Sequence, residues 1–178
     1  MRRPLDEQRL RNFLRELGQQ ADAELRIYLT GGATAVLNGW RKSTVDVDLK
    51  MEPDRDEIFR AIPRLKEELQ VNVELASPEQ FIPELPGWKE RSLFIAREGR
   101  TSFYHYDLYA QALAKIERGH ARDLADVREM LSRGLIQVPE LRRLFDVIEP
   151  RLFRYPAINP KSFRAAVEAA LENSAKER

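Results

Sequence analysis

Asp46 and Asp48 stand two residues apart in "TVDVDLKM", alternating with Val45, Val47, Leu49 and Met51. In a strand this alternation puts both carboxylates on one face, roughly 7 Å apart, and the apolar set on the other. As bare anions at an effective dielectric near 20 they repel by about 2 kcal/mol. A divalent cation reverses that sign, and Mg²⁺ suits such a pair because it takes one or two carboxylates together with water and substrate phosphates. The plain alternative is two solvated residues on the open face of a half-buried sheet. Just upstream, "LRIYLT" (25–30) reads as a buried strand running into Gly31 and Gly32, and "ATAVLNG" as a short helix. Glycines there let backbone amides approach an anion at a helix start, although a tight strand-to-helix turn needs glycine on its own account.

A second polar block, "ALAKIERGHARDLADVREML", lies at 112–131. If one helix ran unbroken through Gly119, Lys115, Arg122 and Asp126 would fall near one stripe, where a surface ion-pair network also explains them. His120 would then sit among apolar positions, as a packed core histidine. His105, in "FYHYD", alternates with Tyr104 and Tyr106 and points to no role.

The two blocks together resemble the nucleotidyltransferases of the polymerase-beta-like superfamily. "GGATAVLNGWRKSTVDVDL" looks most like the AbiEii/AbiGii-type toxin nucleotidyltransferases and their uncharacterised relatives: a strand, a glycine pair, a helix, a basic residue, Ser or Thr, and Asp-x-Asp. The later lysine and Asp-x-x-Asp are matched by Lys115, Asp123 and Asp126. The resemblance covers roughly residues 25–133. It implies a metal held by Asp46 and Asp48, Mg²⁺ with Mn²⁺ as an alternative, and phosphate contact by Lys115. It also implies a role in activity for Asp123, with Gly31, Gly32, Arg41 and Thr44 near the nucleotide phosphates. A third carboxylate often completes such a metal site; Glu74 in "VNVEL" is the candidate and Asp107 its rival. The implied substrates are a nucleoside triphosphate and an acceptor, either a tRNA-like RNA or a protein. A toxin would add a cognate antitoxin. The alternative is a catalytically inactive nucleotide- or RNA-binding, or protein-interaction, module of the same fold.

These residues need elements to hold them. Leu10, Phe13, Leu14 and Leu17 have helical spacing, with Gly18 placed for a left-handed cap. "TVDVDLKM" and "VNVEL" read as strands, and the helix between them should begin at Asp54 and kink or split at Pro63. "SLFIAREGRTSFYHYDL" reads as a hairpin turning at Glu98-Gly99, and from Asp107 the pattern is helical. The expected class is α+β: a nucleotidyltransferase-like mixed sheet core over 1–106, then a helical region, 107–178, that completes the site and contacts acceptor or partner. Six basic residues in 142–164 (Arg142, Arg143, Arg151, Arg154, Lys161, Arg164) lie among aromatics, a pattern that fits either nucleic-acid contact or ordinary helix surface.

Composition bounds the rest. The 178 residues carry 30 Lys+Arg against 29 Asp+Glu, a net charge of +1, so any polyanion surface must come from local clustering. There is no cysteine, which excludes thiolate zinc and disulfides. No long apolar run or signal-peptide pattern stands out, so a cytoplasmic protein without a membrane partner is expected.

Overall fold

The computed structural model describes residues 3–176. They form two units: the chain up to Ser77 with Ser92–Tyr106, and Pro78–Arg91 with the chain from Asp107 onward.

The first unit is a mixed five-stranded sheet in the order β3-β2-β1-β5-β4, from β1 (Leu25–Thr30), β2 (Asp46–Glu52), β3 (Asn72–Leu75), β4 (Leu93–Glu98) and β5 (Thr101–His105). β1 pairs antiparallel with β2 and parallel with β5; β2 and β3 are parallel, and β4 and β5 form the antiparallel hairpin. Alternation then sorts the side chains. Ile27, Leu29, Val47, Leu49, Met51, Val73 and Phe103 enter one core with α1 (Glu7–Gly18), α2 (Gly31–Leu37) and α3 (Asp56–Glu68). The opposite face of β2 and β3 carries Asp46, Asp48, Lys50, Asn72 and Glu74. Val45, expected within the apolar set, precedes β2 and is exposed.

α1 starts where Asp6 accepts a hydrogen bond from Arg9 N at 2.9 Å. It buries Leu10, Phe13, Leu14 and Leu17, each worth about 1.5–3 kcal/mol. Gly18 does not form the expected left-handed cap; it stays helical, and Gln19 caps in the right-handed conformation. Its role is clearance, because a Cβ there would lie 2.6 Å from Glu98 Cβ and 2.7 Å from Glu98 O on β4. α3 begins after Arg55 rather than at Asp54 and continues through Pro63. The burial of Ile58, Ala61, Ile62 and Leu65 on one face offsets the hydrogen bond the proline removes.

The second unit is helical: the short α4 (Trp88–Arg91), α5 (Leu108–Arg118), α6 (Ala121–Ser132), α7 (Val138–Ile148) and α8 (Pro160–Lys176). Phe145 on α7 meets Phe163 on α8 edge-on, with ring centroids 4.9 Å apart. Among the described residues no helix is long and apolar enough to cross a membrane.

Candidate functional site

β2 sets the geometry. Asp46 and Asp48 share one half-buried face while Val47 and Leu49 are fully buried behind them. Asp46 is opposite Asn72 in the β2–β3 register, and Asn72 Nδ2 donates to Asp46 Oδ1 at 2.6 Å. Asp48 is flanked by Thr30 on β1 and Glu74 on β3. Glu74 is exposed, and among the described residues no group of three or more His, Cys, Asp or Glu is gathered to hold a metal ion. The hard oxygen donors on this face are thus a strand pair, fewer than an all-protein metal cage needs.

The glycine turn abuts this pair. Gly31 has φ +62°, and a Cβ on it would come 2.8 Å from Asp48 Oδ2. A Cβ on Gly32 would collide with Thr44 Oγ1, stand 2.7 Å from Thr44 Cβ and lie 3.6 Å from Arg41 Nη1. Only glycine fits either position. Thr44 is fixed by donating from Oγ1 to Asp46 O at 3.0 Å and by exchanging backbone hydrogen bonds with Leu5 at 2.7 and 2.9 Å. The structure thus gathers Gly31, Gly32, Arg41, Thr44, Asp46 and Asp48 within the first unit, with Glu74 on the adjoining strand.

Lys115 and Asp123 belong to the second unit. The helix does not run unbroken through Gly119: Gly119 caps α5 with φ +71°, and His120, rather than packing in a core, is exposed at the start of α6. The break folds α6 back on α5, and Lys115 Nζ donates to Asp123 Oδ1 at 3.0 Å and Asp126 Oδ2 at 2.8 Å. Arg118 pairs with the other Asp123 oxygen at 3.3 Å. Asp107 is fully buried in this unit. It accepts from Arg91 Nη2 at 2.7 Å and caps α5 by accepting from Tyr109 N at 3.1 Å. Burial raises its pKa against the opposing pull of Arg91. That is a structural assignment for this carboxylate. In 142–164, Arg142 is paired with Glu168, Arg143 with Glu140, and Arg164 with Asp146 and Glu149. Ion pairing on a helical surface accounts for these arginines.

Two residues that gave no sequence signal matter to the site's support. Asn72 orients Asp46, which only the strand order reveals. His105 on β5 is 8% exposed and locks α2: Asn38 Nδ2 lies 3.3 Å from Nε2, and Nδ1 lies 3.1 Å from Thr34 Oγ1. The amide donor makes Nε2 the acceptor, so Nδ1 carries the proton and Thr34 passes its own to Leu29 O at 3.3 Å.

Burial and the Arg11 charge lower the His105 pKa from 6.5 to about 4. In the unfolded chain the ring protonates near 6.5, and in the folded protein only near 4. The unfolded state therefore binds the extra proton between these values, and stability falls as pH drops through that window, by about 3 kcal/mol in total. Urea midpoints at pH 7.5, 6, 5 and 4 should show this loss. His105→Gln should flatten it relative to wild type; an unchanged pH profile would show that His105 is not the titrating group.

A model of the family described as "Nucleotidyltransferase of unknown function (DUF6036)" matches residues 8–174. The chain belongs to that family. Among solved structures, this nucleotidyltransferase-family chain is similar to the crystal structure of an antigenic nucleotidyltransferase-like protein from Paracoccidioides brasiliensis. The TM-score is 0.50 at 17% identity, covering 94% of this chain and 95% of that one. At that identity the likeness shows the fold: the nucleotidyltransferase-like α+β class expected from the sequence. Comparison with curated proteins gives no match.

Proposed function

We propose that this family member is an active Mg²⁺-dependent nucleotidyltransferase that moves a nucleotide from a nucleoside triphosphate to an acceptor hydroxyl. The observation that carries the reading is the Gly31–Gly32 turn seated against the Asp48 carboxylate, with Asp46 on the same strand face. The acceptor oxygen bonds to the α-phosphorus, the bond to the bridging β-phosphate oxygen breaks, pyrophosphate leaves, and the hydroxyl proton passes to solvent or a nearby base. Asp46 and Asp48 would hold Mg²⁺, or Mn²⁺, with Glu74 beside them. When bound, the cation would neutralise charge at the phosphates. Gly31 and Gly32 leave room for the triphosphate to meet backbone amides, Arg41 supplies a cation beside the turn, and Thr44 fixes the Asp46 backbone. Rate in such a site comes chiefly from positioning and charge stabilisation. The resemblance brings Lys115 in as a phosphate contact and Asp123 as a residue needed for activity. It also brings an RNA acceptor such as tRNA or a protein, and the setting of an AbiEii-like toxin with an antitoxin partner; these belong to the proposal.

The test is direct. Purified protein with α-labelled nucleoside triphosphates, Mg²⁺ and total tRNA or cell protein should transfer label, and chelation should stop it. No transfer with any of the four triphosphates to either acceptor class would overturn the reading.

A further inference from the structure

Beside the glycine turn the first unit carries a groove of about 780 Å³, lined in part by Asp6, Glu7, Arg11, Arg15, Arg41 and Lys42. That is within the usual size range of ligand sites. Arg11 and Arg15 are one turn apart on one face of α1, a rise of roughly 6 Å. Arg41 and Lys42 face them from the loop between α2 and β2. Glu7 is held by Arg11 at 2.9 Å, and Asp6 caps α1. The lining has four cations and two carboxylates, in a chain whose whole net charge is +1. Among the described residues the Arg15 and Lys42 side chains make no ion pair or hydrogen bond, in contrast to Arg142, Arg143 and Arg164.

The walls are fixed. The Leu5–Thr44 bridge ties the start of the chain to the loop side. Arg9 donates to the carbonyls of Arg3, Pro4 and Leu69 at 3.0, 2.7 and 2.8 Å. Arg41 links groove to turn, since its Nη1 is the atom 3.6 Å from where a Gly32 Cβ would stand. Cations from two elements that converge on one groove suit a ligand with several phosphates in a row. Gln8 and Asn12, also in the lining, offer amides to sugar hydroxyls or base edges.

We infer that this groove holds the phosphodiester backbone of a single-stranded RNA acceptor and feeds its end toward the aspartate pair. The word acceptor rests on the nucleotidyltransferase reading; the binding does not. Fluorescence anisotropy of a labelled single-stranded 12-nucleotide RNA, without nucleotide or metal, should show binding that weakens with salt. Arg15→Glu/Lys42→Glu, both at exposed positions, should weaken it at least tenfold and flatten the salt slope by about 1.4, two contacts' worth. Equal RNA affinity of the double variant and wild type overturns the inference. So does displacement of the RNA by equimolar inorganic tripolyphosphate, which would make the groove a free-phosphate site, or tighter binding of an acidic peptide than of the RNA. Normal nucleotide transfer to RNA by the double variant, with an unchanged KM for that RNA, sinks the groove and leaves the enzyme reading standing. Weakened RNA binding with no transfer by wild type does the reverse.

Discussion

Asp48→Asn should lower nucleotide transfer about 1,000-fold, the scale of losing several kcal/mol of charge stabilisation at the reacting phosphates. Asparagine keeps the shape, so the register with Thr30 and Glu74 and the clearance against Gly31 survive. The charge does not. Mg²⁺ should raise the wild-type melting temperature and leave the variant nearly unmoved. Asp46→Asn should behave alike, because its amide oxygen can still accept from Asn72. Transfer within tenfold of wild type, or equal Mg²⁺ stabilisation of variant and wild type, would detach the metal from this strand.

The strand carrying this prediction was legible because period-two alternation in "DVDLKM" survives folding unchanged: Val47, Leu49 and Met51 are buried and the acids are not. The helical run after Asp107 was legible for the same kind of reason, and the β4–β5 hairpin from its glycine turn, since β4 itself buries no face. What failed depended on partners distant in sequence. Gly18 looked like a cap because glycine after a helix usually is one; its clash partner is Glu98, on a strand whose position no local pattern gives. Pro63 should break a helix by local rules, yet the buried face of α3 overrides them. His120 is the local exception: it joins an apolar stripe only if the helix runs on through Gly119, and Gly119 is instead the left-handed end of α5. Asn72 and His105 stayed silent because their partners lie 26 and 67–71 residues away.

That break at Gly119 also creates the second large expected effect. Lys115→Met should destabilise the protein by about 3–5 kcal/mol, the usual result of stripping one member from a buried charge cluster. Lys115 and Asp123 are each 7% exposed and Asp126 is 1% exposed. With the ammonium gone, Arg118, whose side chain is 49% exposed, is the cation still paired with Asp123. Methionine replaces the stem's packing, so the loss reads the charge rather than a cavity. Lys115→Arg should lose part of the same stability, since a planar fork cannot reproduce one nitrogen donating to Asp123 and Asp126 at 3.0 and 2.8 Å. Urea unfolding at pH 7 measures both. A cost below about 1 kcal/mol for methionine would mean the cluster is solvated in solution. The size of this effect bears on the phosphate contact proposed for Lys115: lost transfer in Lys115→Met counts toward it only at temperatures where the variant is still folded. If the folded variant transfers nucleotide normally, the lysine is a clasp between α5 and α6.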